Sequence, residues 1–154
     1  MNEIELLRAQ LAIERRHVRE VAACGAAAAP EAWRQVCAEY LECVLGWFDE
    51  RDARLLELYA RRPPGDADRR AVAALAAGGG GRAALERLAA AEAAHGGWRD
   101  LERFIHGPWD ARRAAVEALL ATNQRVADWR AFGGIDADTI GRERALYARC
   151  RVSS

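Results

Sequence analysis

Residues 2–24 read NEIELLRAQLAIERRHVREVAAC, and apolar residues recur in this stretch at steps of three and four. Because an α-helix turns once every 3.6 residues, such positions share one face, as in the helices of a bundle. That face carries Ile4, Leu7, Leu11, Val18 and Val21. Glu14 occupies the place where another apolar residue would continue the face, and His17 follows one turn later. The stretch therefore predicts a bundle helix that turns an acid and a histidine toward its buried side.

The rest of the chain has the composition of a helical protein. Alanine, leucine, arginine and glutamate dominate, β-branched residues are sparse, and glycine and proline cluster at a few points. These breakers predict further helices over residues 30–61, 82–105, 109–132 and 136–151, with a brief helix over 66–77. We expect an all-α fold, an up-down helical bundle of four main helices plus a short extra helix, in a single domain that covers residues 1–154.

Charge and hydropathy restrict the partners. The 23 basic residues equal the 23 acidic ones, so the chain lacks the cationic excess that contacts to a nucleic-acid backbone require. No run approaches the roughly 18 apolar residues of a membrane-spanning helix. We therefore expect a cytoplasmic protein that binds neither nucleic acid nor membrane, which leaves a protein partner or a homo-oligomer as the open alternatives. The four cysteines lack a C-x-x-C pair and are expected to be small buried hydrophobes.

Acidic residues also interrupt the apolar faces of other predicted helices. In the third long helix, the line through Leu85 and Leu88 leads to a glutamate and, three residues later, to a histidine. This repeats the Glu-x-x-His spacing of the first helix. One acid interrupts the second helix and one interrupts the last. The residues that four helices thereby send toward one interior are Glu14, His17, Asp52, Glu92, His95 and Glu143.

Burial of these carboxylates needs compensation, because an unpaired buried carboxylate loses solvation worth several kcal/mol. A metal centre would provide it, since in ferritin-like bundles inward-facing glutamates and Glu-x-x-His pairs hold two metal ions. The ligands would be the six residues just named, and the metal would be iron or another divalent ion. The alternative is that the acids pair with the many arginines, or lie where the apolar faces reach solvent. The sequence leaves both interpretations open.

Four segments resemble, in order and spacing, the segments of hemerythrin-like (HHE) domains. LLRAQLAIERRHVREVAAC is similar to the opening helix of that family, with His17 at the place of a metal-binding histidine. LAAAEAAHGGWRDL resembles the third-helix segment, with His95 at the histidine position. WFDERDARLLELYARR resembles the second helix, and DTIGRERALYARC resembles the closing segment. The resemblance implies a four-helix bundle with a metal site in its interior.

The chain departs from that family in two of the four segments. Where the family carries His-x-x-x-Glu in the second helix, this chain offers Phe48 or Asp49 with Asp52. In the closing segment it offers Thr139 with Glu143. Two expected histidines are therefore missing, and the resemblance implies a degenerate, carboxylate-rich site for iron or another divalent metal.

Two classes of function follow from the sequence. The first is a hemerythrin-like bundle whose metal serves sensing, storage or oxygen chemistry. The second is a metal-free helical bundle that acts as a protein interaction or regulatory module. A nucleophilic enzyme is not indicated, because the two serines are the last residues, Ser153 and Ser154, and no cysteine has a local catalytic partner. No particular reaction is predicted.

Overall fold

The computed structural model describes residues 2–27, 30–77, 80–93, 95–133 and 136–152, with His95 and Val152 described by their backbone alone. Apart from short connections such as residues 62–65 and 123–125, these ranges are helical and contain no strand, so the predicted all-α class is confirmed. None of the helices that the structure describes is long and apolar enough to cross a membrane. The elements are α1 (Glu3–Ala26), α2 (Glu31–Arg61), α3 (Asp66–Ala76), α4 (Gly80–Ala93), α5 (His95–Phe104), a π turn (Ile105–Trp109), α6 (Asp110–Thr122), α7 (Val126–Phe132) and α8 (Ala137–Val152).

The first helix, α1, begins close to its predicted start, at a capping box. The Asn2 side chain accepts a hydrogen bond from the Glu5 N–H at 2.9 Å, and the Glu5 carboxylate accepts one from the Asn2 N–H at 2.9 Å. These contacts satisfy backbone donors that the start of a helix leaves free. The predicted apolar face is buried apart from the half-buried Leu11, and Glu14 and His17 are buried with it. The predicted orientation of α1 is therefore confirmed.

The helix predicted over residues 82–105 is two helices, because α4 ends at Ala93 and α5 begins at His95. Close packing explains the division. A Cβ atom on Gly97 would lie 2.0 Å from the carbonyl oxygen of Ala90, a distance that no side chain fits. Glycine thus allows the start of α5 to press against the end of α4. The sequence indicates a weak point at Gly96 and Gly97, because glycine disfavours a helix interior, and in the structure both lie in the first turn of α5, just after the division.

The stop predicted at Gly107 and Pro108 does not occur. The chain continues from α5 through the π turn into α6, and Pro108 lies inside that turn. Proline lacks an N–H and crowds the preceding turn of a helix, and the wider π turn accommodates both effects. The helix therefore continues past two residues that usually end one.

The helix predicted over residues 109–132 also divides. The end of α6 is at Thr122, where Asn123 is extended and its side-chain oxygen accepts the Arg125 N–H at 3.0 Å. Such local side-chain contacts compete with the helical hydrogen bonds. The next helix, α7, ends at Gly133, whose φ of 84° is the left-handed conformation that glycine adopts readily.

Two apolar clusters fill the interior, and α1 and α2 take part in both. The first cluster joins them to α4, α5, the π turn and α8. The second joins them to α3, α6 and α7. The chain therefore packs around two adjacent centres, and the boundary between them crosses α1, α2 and the start of α6.

Candidate functional site

A layer of charged side chains separates the two apolar clusters. The layer is formed by residues of α1, α2 and α6. Along the chain, these residues lie between the members of the first cluster and the members of the second cluster. We call this set the polar layer. Its members are Glu14 of α1, Arg51 and Asp52 of α2, and Arg112 and Arg113 of α6, none of which is more than 7 % exposed.

Within the polar layer, Glu14 is paired with Arg51. Arg51 donates a hydrogen bond from Nη1 to Glu14 Oε2 at 2.9 Å, and Gln10 donates from Nε2 to Glu14 Oε1 at 3.2 Å. Charge-assisted hydrogen bonds of this kind are the strong ones in proteins. The guanidinium group therefore supplies the compensation that burial of the carboxylate requires.

Asp52 faces two arginines of α6. Its Oδ2 accepts hydrogen bonds from Arg112, at 3.2 Å, and from Arg113. The Arg113 guanidinium also lies over the rings of Phe48 and Trp109, 4.5 Å and 5.3 Å from their centroids. Burial lowers the pKa of Arg113, and the charge of Asp52 opposes that shift. One carboxylate thus serves two buried cations, and aromatic faces help to hold the second.

A separate polar group joins α1 to α8. His17 Nδ1 lies 2.7 Å from Glu143 Oε1, and the Tyr40 hydroxyl donates a hydrogen bond to the same oxygen at 2.6 Å. The His17 ring stacks on Tyr147 with a centroid separation of 3.6 Å, and the Tyr147 hydroxyl donates to Glu20. Burial, followed by the contact with Glu143, raises the pKa of Tyr40, so its phenol stays protonated. These rings and carboxylates pack as one hydrogen-bonded unit.

The predicted pair on the third long helix is placed differently. Glu92 is exposed on α4, and the His95 side chain lies outside the described part of the structure. Leu85, on the line that predicted an inward Glu92, is 45 % exposed. The buried residues of α4 are Gly80, Ala84, Leu88 and Ala91. The inward orientation predicted for Glu92 is therefore wrong, because α4 buries an alanine-rich face beside the predicted one.

Four of the six predicted residues are buried, but the structure brings them together in separate groups. Glu14 and Asp52 belong to the polar layer, whereas His17 and Glu143 contact each other. Within the described ranges, no group of three or more histidine, cysteine, aspartate or glutamate side chains is placed to hold a metal ion. Guanidinium groups lie against Glu14 and Asp52, two of the acids that metal would have to neutralise. The described residues therefore do not fit a di-metal centre.

The arginines of the polar layer are missing from the residues that the sequence singled out. Their signal is nevertheless present, because Arg51 lies on the line from Phe48 to Leu55 and Arg113 precedes Val116 by three residues on the buried face of α6. The criterion that identifies the acids is a charged residue that interrupts the apolar face of a predicted helix, and these arginines meet it as well. All 23 basic residues of the chain are arginines, whose planar guanidinium suits buried pairing with a carboxylate.

Asp49 borders the polar layer on the side of α4. A Cβ atom on Gly81 would lie 1.8 Å from Asp49 Oδ2, so the half-buried carboxylate packs directly on the start of α4. Burial, followed by the charge of Asp52, raises the pKa of Asp49 to about 6, although Arg112 and Arg113 act in the opposite direction. The charged form of Asp49 is therefore disfavoured in the folded protein.

We expect Asp49→Asn to change how stability depends on pH. The pKa of Asp49 is raised from 3.8 to about 6, so the folded state binds more protons than the unfolded state between these values. The free energy of unfolding of the natural chain should fall as pH rises through this window, by about 1 kcal/mol after allowance for solvent screening, and the variant should lack this fall. Urea unfolding at both ends of the window measures it. Glu50→Gln, at an exposed neighbour, should retain the fall, and an unchanged profile in Asp49→Asn would contradict the assignment.

A groove opens between α1 and α6 beside the polar layer, and we call it the α1–α6 groove. It encloses a cavity of about 510 Å³, within the size range of small-molecule sites. Its apolar lining consists of Leu11, Ala12, Phe48, Val116 and Leu120. The charged residues that line it are Arg8, Arg15, Arg16, Arg19, Glu20, Arg113 and Glu117. The groove therefore combines an apolar floor with a predominantly basic rim.

Comparison with known proteins adds no relative, because no protein-family model, curated protein or solved structure matches the chain. The resemblance to hemerythrin-like domains stays a prediction. The features of the molecule that bear on function are the polar layer, the polar group of His17 and Glu143, and the α1–α6 groove.

Proposed function

We propose that this protein is a metal-independent helical binding module whose ligand occupies the α1–α6 groove. The observation that supports metal independence most is the pairing inside the polar layer. Arg51 neutralises Glu14, and two arginines of α6 neutralise Asp52. Buried carboxylates need a compensating cation, and here the chain supplies it from its own side chains. The bundle can therefore fold without a metal.

The groove supports a binding role in addition to a structural one. Small-molecule sites combine apolar surface with placed charges, and this groove has an apolar floor beneath a charged rim. Arg8 and Arg19 line it, and neither has a hydrogen bond or ion pair with another described residue. Their charges remain available to a ligand.

The proposal includes an up-down arrangement of the longest helical segments. The first helix, α1, packs on α2, α5, α6 and α8, and α2 also packs on α8. Helices that surround a common interior in this way are typical of bundles. We place the module in the cytoplasm, as expected from its sequence.

A second candidate is the metal-binding protein that the hemerythrin-like resemblance implies. The observation that favours it is the 2.7 Å contact between His17 and Glu143, which joins the first and last helices. Two protein ligands are fewer than zinc or calcium sites use, and among the described side chains no third histidine, cysteine, aspartate or glutamate is placed to complete a site with them. The two candidates differ in whether folding stability depends on metal.

Thermal melting with and without metal separates the two candidates. For a metal-independent module, we expect the melting temperature to change by less than about 1 °C on addition of a chelator, iron, manganese or zinc. A protein that binds metal only when folded would lose several degrees with the chelator and regain them with the metal. Elemental analysis of the purified chain provides an independent check.

Two histidine variants identify the origin of any metal response. His17→Ala removes the buried imidazole, whereas His106→Ala removes an exposed one in the π turn and serves as the control. A metal-dependent rise in melting temperature that disappears in His17→Ala and persists in His106→Ala would establish the second candidate and refute metal independence.

A further inference from the structure

We infer that the ligand of the α1–α6 groove is a single-chain amphipathic carboxylate, such as a medium-chain fatty acid. Its carboxylate lies at the arginine-rich end of the groove and its chain lies on the apolar floor. This inference rests on the proposed function and specifies the class of ligand. Three properties of the groove carry it: the difference between its two ends, the charge at the basic end, and its size.

The direction of the helices establishes which residues share each end. Gly25, near the end of α1, packs on Trp98 of α5, because a Cβ atom there would lie 2.0 Å from the indole ring. Leu7, near the start of α1, belongs to the same apolar cluster as Leu120, near the end of α6. Since α5 runs through the π turn into α6, α1 is antiparallel to this continuous segment.

Arg15 determines the register between α1 and α6. It lies 2.8 Å from Asp110 and 3.5 Å from Glu117, so it stands level with the residues between them. With a rise of about 1.5 Å per residue, Arg16 comes level with Arg113, and Arg19 lies about one turn beyond it. In the other direction, the floor is apolar and is formed by Leu11, Val116 and Leu120, and a single arginine, Arg8, lies on the rim level with Leu120. The groove therefore has a basic end and an apolar stretch beside it.

The basic end carries positive charge that the protein does not fully neutralise. Arg16 and Arg19 are exposed, and the nearest acid on α1, Glu20, already accepts a hydrogen bond from Tyr147 and lies 3.9 Å from Arg16. On the floor, Arg113 bonds Asp52 through Nη2, while its buried Nε and Nη1 have no hydrogen-bond partner. In all, five arginines and two glutamates line the groove. An anion would restore the balance, and the planar guanidinium group matches a carboxylate.

The size of the groove favours a small molecule over a protein segment. A partner helix with its side chains is about 10 to 12 Å across, too wide to enter a cavity of about 510 Å³. The distance along the α6 axis from Arg113 to Leu120 is about 10 Å, and a medium-length alkyl chain spans such a distance. The floor beside that chain is hydrophobic, so burial of each CH₂ group contributes about 0.8 kcal/mol.

Isothermal titration calorimetry of the full chain with four compounds tests the ligand class. Decanoate has the chain and the charge, decanol has the chain alone, decylammonium reverses the charge, and acetate lacks the chain. We expect decanoate to bind at least about tenfold more tightly than decanol. Decylammonium and acetate should give no measurable heat, because the first is repelled by the arginines and the second buries no chain.

Two variants and their controls locate the site. The double variant Arg16→Glu/Arg19→Glu should weaken decanoate binding by at least about tenfold and leave decanol binding unchanged, because it alters only the charge at the basic end. Its control is Arg82→Glu/Arg87→Glu, on an exposed part of α4. Ala12→Phe should fill the groove and abolish binding of both compounds, whereas Ala9→Phe, at an exposed position of α1 outside the groove, should not.

Each alternative result contradicts a defined part of the inference. If decanol and decylammonium bind as tightly as decanoate and Ala12→Phe abolishes all three, the carboxylate is refuted while a binding role for the groove stands. If decanoate binds and Ala12→Phe does not weaken it, the groove is not the site and both the ligand assignment and the proposed function fail. If no amphiphile binds, the inference is refuted, and the melting experiment with metal still decides metal independence by itself.

Discussion

Asp52→Ala is expected to lower the free energy of unfolding by about 3 to 5 kcal/mol, because removal of one partner from a buried ion pair leaves the other charge uncompensated. Here the loss affects two partners. Asp52 Oδ2 accepts hydrogen bonds from both Arg112 and Arg113, and all three side chains are buried. Without the carboxylate, two guanidinium groups of like charge face each other in the interior. Urea unfolding followed by circular dichroism at neutral pH measures the effect.

Two further variants show whether the charge of Asp52 is responsible. Asp52→Asn keeps the size of the side chain and removes its charge, so it should destabilise the protein nearly as much as alanine does. Glu92→Ala removes an acid that is exposed on α4, and its effect should stay within about 0.5 kcal/mol. If Asp52→Ala costs less than about 1 kcal/mol, the polar layer does not depend on this carboxylate.

Gly97→Ala is expected to destabilise the protein by about 3 kcal/mol or more, which is large for the addition of one methyl group. Its Cβ would lie 2.0 Å from the Ala90 carbonyl oxygen, and a backbone atom cannot turn aside as a flexible side chain can. Accommodation would require α4 and α5 to move apart. The buried contacts that Leu88 and Trp98 make in the first apolar cluster would be disturbed with them.

The neighbouring glycine provides the control for Gly97→Ala. A Cβ on Gly96 would meet no other atom within 4 Å, so Gly96→Ala should leave stability unchanged or raise it by up to about 1 kcal/mol, because alanine favours helix more than glycine does. Urea unfolding of the two variants in parallel gives the comparison. Equal stabilities would contradict the close contact between α4 and α5.

The sequence predicts burial well where a helix face consists of large apolar residues. In α1 and α2 the faces that carry Glu14 and Asp52 contain valine, leucine and aromatic residues, so only one direction can face the core, and both acids are buried as predicted. In α4 six of the 14 residues are alanine, which is buried or exposed at little cost. The predicted line through Leu85 and Glu92 is exposed, and the adjacent face is buried.

Partners distant in the chain are harder to predict, because a pattern along one helix contains no information about the register between helices. Arg113 is 61 residues from Asp52, and the alignment of α2 with α6 depends on how the whole bundle packs. The contact between His17 and Glu143 spans 126 residues. The sequence predicts that these two residues face one interior. The structure brings them together with Tyr40, and no pattern along a single helix indicates that the three side chains meet.

Helix boundaries show a related limit. Glycine and proline, here Gly107 and Pro108, usually end a helix. The chain nevertheless continues through the π turn, because Ile105 and Trp109, the first and last residues of that turn, are buried. Packing of these two side chains outweighs the local preference for a break. Between α4 and α5 the chain does divide, just before Gly96 and Gly97, where the low helix preference of glycine and the close approach of α4 act together. Local preference thus decides a boundary only where tertiary packing does not oppose it.

The neutralisation of the buried acids by the chain's own arginines is tested most directly by a double-mutant cycle on Asp52 and Arg113, measured by urea unfolding in the presence of a chelator. The variants are Asp52→Asn, Arg113→Met and the combination of both. We expect a stabilising coupling energy of at least about 1.5 kcal/mol, because each residue compensates the buried charge of the other. A coupling energy below about 0.5 kcal/mol under these conditions, or one that develops only when iron or manganese is added, would contradict it.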